Sequence, residues 1–123
     1  MKWIALVTGG VAGTVARYVL SGFMYQFAGS EFPYGTLAVN LAGCFAIGFL
    51  AALSEEKFLL GPNARLLLMA GFCGAFTTFS TFMLETSNLL REGETLRAFA
   101  NVAVSIAVGF FLFRLGVLLA ELL

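Results

Sequence analysis

GFCGAFTTFSTF, residues 71–82, is the stretch that decides how this chain is read. It lies inside a long apolar run, yet it holds two glycines, four phenylalanines and four hydroxyl residues. Gly71 and Gly74 weaken a helix here, because glycine loses the most backbone freedom on ordering. The hydroxyls of Thr77, Thr78, Ser80 and Thr81 can take up backbone groups that an interrupted helix releases. In lipid, non-helical backbone is tolerated only where protein or a water-filled cavity satisfies it. The stretch predicts a membrane helix broken near its middle, with the break serving a site.

The surroundings demand a membrane. Of 123 residues, 60% are hydrophobic and 11% charged, and the mean hydropathy is +0.95. Soluble domains carry about 25% charged residues, so this chain cannot cover its surface with polar groups. A spanning helix needs about 20 apolar residues. The length therefore predicts an all-α membrane protein, a single domain over residues 1–123, with four spans near 3–23, 34–53, 64–88 and 97–119. Seven basic and seven acidic residues cancel, which argues against a nucleic-acid partner. The start, Met1-Lys2-Trp3 before an apolar run, imitates a signal peptide but reads as a retained first helix.

Each span carries a few residues that lipid alone does not explain. In the first, Gly9 and Gly13 stand four apart, as do Ala12 and Ala16, which favours close helix packing. Trp3, Tyr18 and Tyr25 suit the two membrane interfaces. Arg17 either snorkels to the headgroups or faces inward to hold neighbouring backbone. In the second span Thr36 and Asn40 share a face, while Gly43 and Gly48 admit another backbone. Asn40 either bonds a neighbouring helix or lines a polar path.

In the third span Thr77, Thr81, Glu85 and Asn88 form a polar stripe at helical spacing. Phe76, Phe79 and Phe82 recur every three residues beside it, as packing or as part of a site. In the fourth span Asn101 and Ser105 are four apart and Gly109 continues their face, while Arg114 is placed to snorkel. Cys44 and Cys73 read as small buried hydrophobes, and without histidine or CxxC spacing neither a disulfide nor a metal site is expected.

Charge predicts an unusual assembly. With four spans, one side collects Lys2, Lys57 and Arg65, with Arg114 near its end. The other collects Arg91 and Arg97, with Arg17 near its end. Orientation follows such a bias, and here it amounts to one charge. The expectation is insertion both ways and pairing as an antiparallel homodimer. A two-fold axis through the third-span break would gather backbone carbonyls from both copies and suit a small cation.

The residues speak against catalysis: there is no histidine, HExxH, GxSxG or phosphate loop, and Glu85 is the sole carboxylate embedded in a span. Permeation fits better. Phenylalanine edges carry partial positive charge, and threonine, serine and asparagine donors can replace part of an ion's water shell. A small four-span efflux transporter for drugs or cations is the rival, but it needs an acid in its first helix, where this chain has Arg17. A non-transporting assembly factor would leave the TTFSTF stripe without a purpose.

GGVAGTVARY (9–18), GTLAVNLAGCFAIG (35–48) and GFCGAFTTFSTF (71–82) together resemble the Fluc/CrcB family of fluoride channels. The fourth span agrees only through Asn101, Ser105 and Gly109. The resemblance implies a dual-topology homodimer in the prokaryotic plasma or inner membrane, with two antiparallel pores for passive export of fluoride. It implies a structural sodium ion held at the dimer centre by backbone carbonyls of Gly74 and Thr77. It puts the pore phenylalanines at Phe79 and Phe82, the pore asparagine at Asn40, and a polar track at Ser80, Thr81 and Ser105. Arg17 and Glu85 also fall on family positions. Cys44 stands where many relatives carry serine, and Asn101 where an aromatic hydroxyl is common.

Overall fold

A computed structural model describes residues 1–123 as an all-helical chain without strands. Four helices are long and apolar enough to cross a membrane: α1, Lys2–Ala28; α2, Tyr34–Glu55; α3, Pro62–Arg91; and α4, Thr95–Glu121. The four expected spans are present, and the chain is a multi-pass membrane protein. Each helix outruns its expected span at one or both ends, because helix-forming residues continue past the apolar core. α1, for example, runs on through Met24, Tyr25 and Gln26 until Gly29 takes a positive φ of 88°. Pro62 opens α3 at its first turn, where its missing N–H costs nothing.

The bundle is built from two glycine-sealed pairs. α1 lies against the first half of α3, and α2 against α4. A methyl group at Gly9 would overlap the Leu67 carbonyl oxygen, and one at Gly13 the Phe72 carbonyl. Gly71 answers from the other side, 3.1 Å from the Gly9 Cα for an added methyl. In the second pair Gly48 faces the Phe113 carbonyl and Gly116 the Phe45 carbonyl, again with no room for a side chain. Small residues let backbones touch where no hydrophobic effect drives helices together.

α3 is irregular inside. It starts as α-helix over Pro62–Arg65, widens to π-helix over Leu66–Cys73, and returns to α-helix over Gly74–Phe76 and again over Phe79–Arg91. Between the last two, Thr77 (φ −91°, ψ 158°) and Thr78 (φ −149°, ψ 116°) are extended. The span as a whole bends by only 15°. The glycines singled out as weak points are not where the chain leaves helical dihedrals. Gly74 keeps them (φ −62°, ψ −37°), and Gly71 is small because α1 presses on it. β-branched threonine suits extended backbone better than helix.

Most of each helix remains uncovered by the rest of the chain. Only 11% of the apolar window of α1 and 28% of that of α2 are buried. The exposed face of α1 (Ile4, Val7, Val11, Val15) and that of α4 (Phe99, Ile106, Phe110) are therefore apolar surface for lipid or a partner. At the end that carries both termini, a hydrogen bond with Glu121 keeps the Glu56 carboxyl above the usual carboxylate range, and Arg114 and Lys57 stand nearby.

Candidate functional site

Two extended residues in the middle of a membrane span must have their backbone groups satisfied. Asn40 does most of this for Thr78. Thr78 N–H donates to Asn40 Oδ1 (2.8 Å), and Asn40 Nδ2 donates to the Thr78 carbonyl (3.0 Å). The pairing fixes the amide's orientation, since only the oxygen can accept from an N–H. Arg17 Nε donates to the Ala75 carbonyl at 3.2 Å, so this half-buried guanidinium turns inward to α3. The Thr78 hydroxyl caps the next helix by accepting from Thr81 N–H at 3.3 Å, and the Thr77 hydroxyl donates back to the Cys73 carbonyl at 3.0 Å. Three carbonyls stay outside this accounting. No hydrogen bond beyond the regular helices ends on Gly74, Phe76 or Thr77 oxygen.

Beside the extended residues lies an open groove of about 450 Å³. Asn40, Gly74, Thr77, Phe79, Phe82 and Ser105 all line it, together with Cys44 and Cys73. Residues from α2, α3 and α4 that are far apart in sequence thus converge on one surface. The two phenylalanines are unlike. Phe82 is 7% exposed and Phe79 72%, with their rings tilted by 49° at 5.9 Å. Phe76 leaves the stripe: it is buried and stacked on Phe72 at 5.5 Å, which is packing. The Ser105 hydroxyl is buried without a protein partner, and a buried hydroxyl without one is costly.

Several expected site residues fall elsewhere. Ser80 is exposed and Thr81 half-buried, and neither reaches the groove. With Thr77 extended, the helical register that joined it to Thr81 and Glu85 is lost. Asn101 is 2% exposed and donates to the Thr86 hydroxyl at 3.0 Å, which in turn donates to the Phe82 carbonyl at 2.7 Å. Thr36 is buried beside the Tyr25 hydroxyl. Glu85 accepts from that hydroxyl at 3.0 Å through Oε2, while its Oε1 is buried and unpartnered. Glu85 lines a second, polar cavity of about 330 Å³ near the α1–α2 connection, with Ser30, Glu31, Asn88 and Glu92.

Sequence reasoning missed Tyr25, read as an interface anchor, and Thr86, which it passed over. Their partners lie 60 and 15 positions away, and no local spacing announces them. Cys73 is buried and Cys44 half-buried, and both are free thiols.

Comparison with known proteins gives a consistent picture over nearly the full length. A protein of Chlorobaculum tepidum named Fluoride-specific ion channel FluC is 52% identical over 123 residues, covering 99% of this chain and 97% of its own. Proteins of the same name from Desulforapulum autotrophicum and Citrifermentans bemidjiense are 43% and 45% identical, covering 99% and 100% of this chain and 98% of their own. The family described as CrcB-like protein, Camphor Resistance (CrcB), matches residues 4–117. With four membrane-crossing helices and a match along almost all of them, this chain belongs to the CrcB family.

Proposed function

We propose that this protein is a fluoride-selective ion channel that lets cytoplasmic fluoride leave passively. The observation that carries the reading is the convergence of Asn40, Phe79, Phe82 and Ser105 on one groove, in a chain 52% identical to a relative named for fluoride conduction. The anion path runs along that groove. Ring edges of Phe79 and Phe82 present partial positive charge without a full cation that would trap the ion. The spare Asn40 amide hydrogen and the Ser105 hydroxyl replace part of the water shell. Hydrogen fluoride crosses membranes uncharged and dissociates inside, which leaves an anion to export down its gradient.

The working unit is an antiparallel homodimer with two pores. Its support is the one-charge bias of the loops and the open side of the groove, where Phe79 stands largely exposed within a single chain. The interruption at Thr77 and Thr78 is then a device of the assembly, placed at the two-fold axis. The Gly74 and Thr77 carbonyls fit a structural sodium ion in donor type, since both are hard oxygens without another hydrogen bond. One chain supplies two such oxygens and two copies four, so the ion would neutralise carbonyl dipoles that otherwise face each other.

Fluoride efflux from reconstituted liposomes, measured beside chloride and a cationic dye, tests the reading. Fluoride flux with little chloride flux supports it. Dye extrusion driven by a proton gradient would replace it with a drug transporter, and silence for all three would leave a non-transporting role.

A further inference from the structure

The polar cavity beside Glu85 is separate from the groove, and Glu85 lines only the former. Its position is not left to chance. Tyr25 comes from α1, and Gly35 leaves room for its ring, since a methyl there would stand 2.6 Å from Tyr25 Cε2. Thr36 of α2 stands against the phenol oxygen, and the phenol donates to Glu85 Oε2 at 3.0 Å. Tyr25 therefore holds one carboxylate oxygen and Thr36 backs the phenol, while Oε1 is buried without a protein partner. Glu85 and Phe82 are three residues apart on one helix, so they share a face. A carboxylate released from Tyr25 would be within a turn of the groove.

We infer that Tyr25 is a positioning residue that latches the Glu85 charge at the polar cavity and keeps it out of the anion path. This rests on the fluoride-channel reading above. An ionised carboxylate near the path would repel the passing ion, and in partly desolvated surroundings one such charge outweighs several neutral donors. Other charged or titratable groups line the same cavity: Glu31 from the α1–α2 connection and Glu92 just past the end of α3, along with the neutral amide of Asn88. From α4, Arg97 borders the neighbouring pocket that Glu31 shares, and it pairs with Glu94 at 3.5 Å. None of these reaches Glu85 Oε1.

The test is Tyr25→Phe in liposomes, alone and with Glu85→Gln. Phenylalanine keeps the ring that packs on Gly35 and removes only the hydroxyl. Fluoride flux at neutral pH should fall by about tenfold, the order expected when a unit charge enters the path. In the double variant, flux should return to that of Glu85→Gln alone. A purely structural role for Tyr25 predicts a loss that Glu85→Gln does not repair, and that result overturns the latch. So does a Tyr25→Phe flux equal to that of the parent, or loss of flux in Glu85→Gln itself, which would mean the charge is required rather than restrained. Absence of fluoride flux in the parent protein would instead defeat the channel reading.

Discussion

The two halves of α3 are held by opposite means. Residues 62–76 are pressed against α1 through glycines, backbone on backbone, with the π-helical turns of Leu66–Cys73 fitting Gly9 and Gly13. Phe79–Arg91 is held through side chains: Tyr25 to Glu85, Asn101 to Thr86, and the Asn40 clasp just before it. The first kind of contact has no slack, since a methyl group has nowhere to go. The second can lose one bond and stay folded, at a typical net cost of about 1 kcal/mol. The contrast teaches that the first half is scaffold and the second is where function can be tuned.

The largest expected effect therefore belongs to the scaffold. Gly13→Val should cost at least about 3 kcal/mol, the top of the usual overpacking range, because its side chain meets the Phe72 carbonyl and the Phe76 nitrogen. Recovery of folded protein after membrane extraction measures it. A Gly13→Val protein that purifies as well as the parent would erase the distinction between the halves.

Next comes the seam between them. Asn40→Asp should abolish fluoride flux while leaving extractable protein. Aspartate cannot donate to the Thr78 carbonyl, and it sets a negative charge in the groove. Parental flux at a pH where the aspartate is ionised would remove Asn40 from the path.

Within the groove, Phe82→Ile and Phe79→Ile should each reduce flux several-fold with assembly intact, since isoleucine has no positive ring edge. Phe82, being buried, should also lose about 1–2 kcal/mol of stability, whereas exposed Phe79 should not unless a partner covers it. Equal stability loss at both would be direct support for a second copy on the groove's open side.

The smallest effect serves as a control. Gly10 has nothing within 4 Å of an added methyl. Gly10→Ala should stabilise the chain by up to about 1 kcal/mol through helix propensity. Destabilisation in a thermal-melting assay would show that α1's outer face is also in contact with protein.

Much of this was legible in sequence, for physical reasons. A 20-residue apolar run has one reading, so four spans follow from hydropathy. Gly9 and Gly13 announced close packing, because four-residue spacing survives any regular helix. Asn40 stood out because an amide in lipid must find a partner, although its partner was not legible. The exact residues that leave the helix were misjudged. Glycine marks both flexible backbone and crowded backbone, and Gly71 is the second kind. The π-helical widening leaves no signature in composition, because it depends on how α1 fits. Tyr25 looked like an interfacial tyrosine because its partner sits 60 residues on.

The Asn40 clasp carries an arithmetic consequence for any ion that would pass. A primary amide has two hydrogens, and one is already committed to the Thr78 carbonyl, as is the Thr78 N–H to the amide oxygen. At that level the protein can therefore offer a traveller one amide hydrogen, the lone Ser105 hydroxyl and the rims of aromatic rings. A small halide sheds more solvent than that set can replace. Along the proposed path it must keep some of its own water, so the width of the passage, more than any single ligand, governs which ions get through.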